Sequence, residues 1–359
     1  MTLLAPLTTA GVGGPASTFV EARTEAEIIA AVRSADAAGV PLLILAGGSN
    51  LIIADEGFAG TVVRLASTGF VVDDDDATCG GVMVRAEAGQ PWDALVEYTV
   101  RHAFSGLEAL SGIPGSTGAT PVQNVGAYGS DVSQTLATVR TWDRETNTVK
   151  SFTNFELKFG YRDSLLKRTT VNGSPRYVVL TVEFQLALGR MSAPVRYAEL
   201  AREVGVAIGE RAYANDVRRA VLKLRAAKGM VLDPVDRDTF STGSFFTNPI
   251  VDSATAATLP EDAPRYPTAD DGQIKLSAAW LIDQAGFSKG FGLSDDAGHS
   301  AAGGRASLST KHTLAVTNRG SASAADLLAI AALVADGVED RFGIRLHPEP
   351  LLIGCALQR

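Results

Sequence analysis

Three short stretches of the sequence carry polar groups in settings suited to chemistry. Tyr161-Arg162-Asp163-Ser164 follows Gly160 and sets an arginine between a tyrosine and an aspartate. A guanidinium fork suits a carboxylate or phosphate, and an adjacent aspartate can orient it. A structural ion pair accounts for the same residues. Thr242-Gly243-Ser244-Phe245-Phe246-Thr247-Asn248-Pro249 puts the Ser244 hydroxyl and the Asn248 amide around two aromatics. Ser244 is suited to donate a proton in a dry pocket, and with no GxSxG elbow a triad hydrolase is disfavoured. His347-Pro348-Glu349-Pro350 brackets one carboxylate with two prolines, which fixes its backbone; a surface turn is the equal alternative. His102, His299, His312 and His347 form no HxxxH-type pair, and Cys79 and Cys355 form no CxxC, so no metal site is expected.

Three segments are rich in glycine. Gly11-Val12-Gly13-Gly14-Pro15-Ala16 fits GxGxxA on paper. No strand precedes it, Pro15 sits inside it and a strand follows, so it reads as a turn feeding the first strand. In Leu42–Leu51, LLILAGGSNL, a buried strand ends at Gly47-Gly48-Ser49-Asn50. Successive N–H groups there can form a nest for a pyrophosphate, and a simple hairpin turn is the alternative. The tract from Gly112 to Gly129 holds five glycines and two prolines over eighteen residues. It also carries Ile113, Val122, Val125 and Tyr128, which a floppy linker would not. It reads as a rigid loop laid against a large planar ligand, or else as a buried connection.

The elements that must hold these residues alternate between helix and strand. Thr24 and Glu27 form a Thr-x-x-Glu capping box ahead of Ile28, Ile29 and Val32, with Gly39 as the stop. Strands are expected at Phe19-Val20, Leu42–Leu45, Leu51–Ile53 and Thr61–Leu65. Phe70–Val72 and Val82–Val84 form a hairpin with the acidic tip Asp73–Asp76. Pro91 opens a helix over Trp92–His102. Strands follow at Ala137–Trp142, Thr148–Phe152 and Tyr177–Leu188, and Asn172-Gly173-Ser174 reads as a turn. Asn215 caps a helix to Lys228 whose Arg218, Arg219, Lys223 and Arg225 form mostly a solvated face; Lys228 at its end can meet an anion. The remainder has a helix over Ser277–Gln284, strands around Leu308 and Leu314–Thr317, a helix Ala325–Arg341 capped by Ser323 and Asp326, and a terminal strand at Pro350–Gly354.

At 359 residues, two or three domains are expected. A net charge of −8 argues against general affinity for nucleic acid or anionic membranes. The two cysteines fit a reducing cytoplasm, the N-terminus lacks the pattern of a signal peptide, and no apolar run is long enough for a membrane span.

Taken in order, AGGSN, PGSTG–QNVGAYG, YRDS, GSFFTNP, AWLIDQAGFSKG and PEPLLIG resemble the UDP-N-acetylenolpyruvoylglucosamine reductases, also called UDP-N-acetylmuramate dehydrogenases or the MurB family. The resemblance covers nearly the whole chain. It implies an α+β fold: an FAD-binding fold of the vanillyl-alcohol-oxidase (PCMH) type in two subdomains, plus a C-terminal α+β substrate-binding domain. The expected boundaries are 1–68, with 343–359 returning to it, then 69–228 and 229–342. It implies a cytoplasmic monomer with non-covalent FAD. NADPH would be the co-substrate and UDP-N-acetylglucosamine enolpyruvate the substrate, in peptidoglycan precursor synthesis and so in cell-wall biogenesis, cell shape and division.

The resemblance also implies residue roles. Gly47, Gly48, Ser49, Asn50 and Leu51 would hold FAD near its pyrophosphate. Pro114, Gly115, Ser116, Thr117, Gly118, Gln123, Asn124, Gly126, Ala127 and Tyr128 would hold the rest. Arg162 would stabilise charge as hydride adds to the enol ether, Ser244 would donate the proton, and Glu349 would orient or polarise the carboxylate. Lys228, Asn248, Tyr266 and Lys275 match positions near the UDP moiety, and Tyr197 that of a lid over the diphosphate. The chain departs from the family's pattern in three places. Pro350-Leu351 stands where Val-Arg is frequent, Thr247 where Lys is common, and His312, a further substrate-site candidate, near a position often Gln or Asn. A sugar or alcohol oxidase on the same fold is the alternative enzyme, and a non-catalytic UDP-sugar-binding flavoprotein the alternative non-enzyme.

Overall fold

Side-chain caps and buried apolar runs set most of the element ends. The computed structural model describes residues 1–73, 81–268 and 270–358. The chain forms two compact units and passes between them several times. Met1–Thr2, Ala16–Gly48 and Ala59–Val231 make the first; Leu3–Pro15, Ser49–Phe58 and Leu232–Arg359 make the second.

In the first unit, helix Glu25–Ala37 starts where the Thr24 side chain accepts the Glu27 N–H. The expected capping box is altered, because the Glu27 carboxylate takes the N–H of Arg23 at 2.7 Å. The helix buries Ile28, Val32 and Ala35. Strand Leu42–Leu45 runs parallel to Phe58–Leu65, with Leu42 opposite Thr61 and Leu45 opposite Arg64. A larger antiparallel sheet runs in the order Thr148–Thr153, Leu136–Asp143, Tyr177–Leu188, Gly81–Glu87, Phe70–Asp73. Trp92 and Phe184 pack in its core, and the indole N–H donates to the Leu110 carbonyl. The hairpin Phe70–Asp73/Gly81–Glu87 is present, while Asp74, Asp75, Asp76 and Cys79 lie outside the described residues. Asn172 and Gly173, at φ 49° and 75°, turn between the short strands Thr170–Val171 and Ser174–Pro175. Positive φ at both central residues is the hairpin geometry that Asn-Gly favours.

Asn215 is not the cap of the basic helix. Helix Ala214–Ala227 begins after Tyr213, with no side-chain cap bond. A backbone bridge between Met191 and Tyr213, and the Ala214 N–H on the Arg190 carbonyl, fix its start instead. Its basic face is also not all solvated. Arg219 and Lys223 are exposed, but Arg218 is held by Asp93 at 2.6 Å and Arg225 is only 8% exposed.

The second unit is organised on helix Ala324–Phe342, which buries Leu327, Ile330, Ala331, Val334 and Val338. Ser323 and Asp326 close the expected capping box. Asp55 adds a second carboxylate, accepting the N–H of Ala324 at 2.8 Å and of Ala325 at 3.1 Å. Negative charge at a helix N-terminus meets the positive end of its dipole. A three-stranded sheet runs Ile250–Asp252, Gln273–Leu276, Arg265–Pro267. Leu51–Ile53 pairs in parallel with Leu351–Ile353. The AGGSN segment therefore joins strands of two different sheets, which excludes the hairpin alternative. No helix among the described residues is long and apolar enough to cross a membrane.

Candidate active site

In the first unit the glycine-rich tract is strapped to the segment before helix Trp92–Arg101. Trp92 donates its N–H to the Gly115 carbonyl, and the Thr117 N–H and hydroxyl both donate to the Gln90 carbonyl at 2.8 and 3.0 Å. Gly118 donates to the Ala88 carbonyl at 2.8 Å, and a Cβ on it would stand 2.6 Å from Ala88 Cβ. Gly47 comes so close to this loop that a Cβ would fall 2.4 Å from Gly115 Cα. The two segments assigned to a nucleotide from sequence thus meet backbone to backbone, and only glycine permits it. Gly48 and Gly115 have φ of 62° and 113°. Ser116, 5% exposed, has a buried Oγ with no hydrogen-bond partner among the described residues. A buried hydroxyl beside a strip of Cβ-free backbone fits a pyrophosphate-bearing planar cofactor. Farther along the tract, Asn124 has φ 46°; its amide donates to the Gly160 carbonyl and accepts from the Ser133 N–H.

Arg162 stands beside the same tract. Its backbone is left-handed at φ 53°, Nη2 donates to the Gly126 carbonyl at 2.7 Å, Nη1 reaches the Asn124 carbonyl at 3.4 Å, and the guanidinium lies over the Tyr161 ring. Asp163 does not serve as the expected orienting partner. It pairs with Arg168, and backbone carbonyls do the orienting. The next turn is tied down by the Ser164 hydroxyl on the Val122 carbonyl and by Lys167 Nζ on the Arg162 carbonyl at 2.9 Å.

Tyr128, Tyr197 and Lys228 also gather in the first unit. The two tyrosine rings meet edge-on, 5.6 Å apart, and Lys228 Nζ lies 5.9 Å over Tyr128. Burial pushes the Tyr128 phenol up to about 12, so it stays a neutral donor near pH 7. Lys228, expected to meet an anion, bonds Glu199 at 2.6 Å. Arg225, Arg218 and Glu199 are the members of this region that sequence reading missed. Arg218 and Arg225 are seven residues apart on a helix and three or four from buried Ala214 and Val221, so all four share a face, and that spacing is the signal that could have found them. Burial lowers the Arg225 guanidinium to about 10, still cationic near neutrality, and its Nη2 donates to the Met230 carbonyl.

The second unit holds the other two catalytic candidates. The Ser244 loop and the Glu349 segment run antiparallel. Glu349 donates its N–H to the Phe245 carbonyl at 2.8 Å, Thr247 donates to the His347 carbonyl at 3.1 Å, and Phe246 bridges Pro348. Asn50 Nδ2 donates to the Glu349 carbonyl at 3.3 Å, and Leu351 donates back to the Asn50 carbonyl. Phe245 and Phe246 are 1% and 2% exposed and belong to the core. These aromatics anchor the loop in the core of the second unit. Of the other candidates here, Asn248 accepts the Ala278 N–H at the start of helix Ala278–Gln284. Tyr266 and Lys275 are opposite each other in the three-stranded sheet, with Nζ 6.0 Å over the ring. His312 lies in the turn between Ala306–Leu308 and Val316–Asn318, and the Leu314 carbonyl of that turn accepts the Phe245 N–H at 2.8 Å.

Comparisons with known proteins place this geometry. Residues 16–151 match the family model "FAD binding domain", and residues 233–353 match "UDP-N-acetylenolpyruvoylglucosamine reductase, C-terminal domain". The chain is 52% identical to the UDP-N-acetylenolpyruvoylglucosamine reductase of Cutibacterium acnes, over 99% of this chain and 90% of that one. It is 53% identical to that of Saccharopolyspora erythraea, over 99% of this chain and 95% of that one. Among solved structures, the UDP-N-acetylenolpyruvylglucosamine reductase from Thermus caldophilus aligns with a TM-score of 0.62 and 25% identity, covering 98% of this chain and 97% of that one. Two domain matches in family order, and half of all residues shared along nearly the full length, make this chain a member of the UDP-N-acetylenolpyruvoylglucosamine reductase family.

Proposed function

We propose that the chain is an FAD-containing oxidoreductase that reduces UDP-N-acetylglucosamine enolpyruvate to UDP-N-acetylmuramate with NADPH. The observation that carries the reading is the backbone pairing that sets Glu349 against Phe245, next to Ser244. It fixes one carboxyl and one hydroxyl on adjacent rigid strips. The decisive experiment follows NADPH oxidation by the purified protein with and without the enolpyruvyl substrate. Turnover that depends on that substrate is expected, and its absence would reject the proposal.

Gly47, Gly48, Ser49, Asn50 and Leu51, with Pro114–Gly118, Gln123, Asn124 and Gly126–Tyr128, hold FAD, which when bound supplies the hydride relay between NADPH and the enol ether. Arg162 faces the charge that develops on the substrate carboxylate as hydride adds, and its preorganised fork costs no rearrangement at that moment. Ser244 delivers the proton that completes the reduction; a serine is a weak acid, so the step needs a strongly basic enolate-like acceptor and tight alignment. Glu349 orients the substrate carboxylate. Lys228, Asn248, Tyr266, Lys275 and His312 receive the UDP portion, and Tyr197 covers its diphosphate. The setting we infer is a cytoplasmic monomer of three domains, 1–68 with 343–359, 69–228 and 229–342. It would serve peptidoglycan precursor synthesis, and through it cell shape and division.

Two consequences can be measured directly. Gly48→Val puts a branched side chain at φ 62°, a conformation β-branched residues avoid, where a phosphate oxygen belongs. The purified variant is expected to lose FAD by absorbance at matched protein concentration; full occupancy would contradict the assignment. Tyr197→Phe keeps the ring packed edge-on against Tyr128 and removes only the hydroxyl. Substrate KM and dissociation rate are expected to rise by about 10- to 150-fold, the worth of one hydrogen bond to a charged group. If neither moves, the hydroxyl has no role at the diphosphate.

A further inference from the structure

Tyr197 and Lys228 stand at the ends of different helices, and one carboxylate joins them. Tyr197 immediately precedes helix Ala198–Val204, and Glu199 lies in that helix's first turn. Lys228 closes helix Ala214–Ala227. Glu199 Oε2 meets Lys228 Nζ at 2.6 Å, Nζ lies over the ring of Tyr128, and that ring meets Tyr197 edge-on. The contacts form a closed circuit, Tyr197 to Tyr128 to Lys228 to Glu199 and back into the helix that Tyr197 begins. Behind it the helices share a small core of Leu200, Ala201, Val217, Ala220 and Val221.

We propose that Glu199 is a positioning residue for the diphosphate of the substrate: it fixes Lys228 and ties it to the segment carrying Tyr197, so that the cation and the cover engage and release the diphosphate together. The inference rests on the reading of Lys228 and Tyr197 as diphosphate contacts and adds the residue that couples them.

Two effects of Glu199 oppose each other. Its carboxylate neutralises part of the ammonium charge, which weakens attraction for an anion. It also holds a four-carbon stem that binding would otherwise have to order. The pair is 29% and 36% exposed, so water and salt screen the first effect. The second is not screened, because a lysine side chain carries large rotamer entropy. An ammonium has three donors, so one bond to Glu199 is compatible with others to phosphate oxygens. Ordering therefore wins, and removing the carboxylate loosens binding.

The test compares the FAD-loaded wild type with Glu199→Gln, Lys228→Ala and the double variant. It measures flavin content, steady-state constants and the dissociation rate of the enolpyruvyl substrate. Glu199→Gln is expected to raise KM and the dissociation rate about 3- to 10-fold, as for residues in one contact network, with the change falling on KM in preference to kcat. On the Lys228→Ala background the same substitution is expected to add nothing. Tighter binding, an unchanged dissociation rate or additive effects in the double variant would overturn the role of Glu199. If Lys228→Ala alone leaves the dissociation rate unchanged, the diphosphate reading of Lys228 fails first and the coupling with it. Retained flavin in all variants, expected throughout, separates these outcomes from misfolding, and flavin loss in Glu199→Gln would assign the residue to the fold and reject the proposal.

Discussion

Ser244→Ala is expected to slow oxidation of the reduced enzyme by the enolpyruvyl substrate by about 10²- to 10⁴-fold, or about 3–5 kcal/mol of barrier. Reduction by NADPH in the same variant should stay near normal, because that half-reaction consumes no proton from Ser244. The structure favours a clean separation. Ser244 is flanked by Phe245, whose N–H is bonded to the Leu314 carbonyl and whose carbonyl receives the Glu349 N–H, so the backbone has support that does not involve the lost hydroxyl. Ser244→Cys should recover part of the rate, since a thiol is a better acid at similar reach. Stopped-flow traces of the two half-reactions decide the matter. Equal slowing of both would mean a damaged site, and an unaltered second half-reaction would remove Ser244 from the mechanism.

Arg162→Met is expected to cost about 10²- to 10³-fold in the same half-reaction, the usual loss when one preorganised donor to developing negative charge is removed. Arg162→Lys should restore little of it. An ammonium keeps the charge but cannot span the Gly126 and Asn124 carbonyls that aim the guanidinium. Gly126→Ala offers an independent check. A Cβ there would stand 3.1 Å from Arg162 Nη1 and 2.8 Å from Asp131 Cβ, so the fork must shift while its charge remains. A partial loss in Gly126→Ala, smaller than in Arg162→Met, is the expected ordering. Full activity in Arg162→Met would assign the stabilisation of charge to another cation.

Local signals in the sequence were read well. Strands Leu42–Leu45 and Leu51–Ile53 have the bounds their apolar runs suggest, and Ser323 with Asp326 caps the helix it precedes. These features depend on neighbours a few residues away. Partners distant in the chain were not legible. Nothing local shows that Asn50 bonds the carbonyl of Glu349, 299 positions later, or that Asp163 pairs with Arg168 while Arg162 donates to the Gly126 and Asn124 carbonyls. The inward turn of Arg218 and Arg225 escaped because a basic helix face is normally solvated, and only the packing of Asp93, Gly112 and Met230 reveals otherwise. The glycine tract was recognised as rigid from its composition, yet the approach of Gly47 to Gly115 is a tertiary fact that required coordinates.

The parallel pairing of Leu51–Ile53 with Leu351–Ile353 also sets a timetable for biosynthesis. A ribosome adds about 5–20 residues per second, so the earlier strand emerges roughly 15–60 s before its partner exists. For that interval Leu51, Ile52 and Ile53, all buried in the finished protein, present an unpaired apolar edge. The second unit can close only after Leu351–Ile353 has been made and docks on the earlier strand. A message truncated before codon 351 should yield a product that stays bound to holdase chaperones or aggregates, even though the whole of the first unit's sequence has been made.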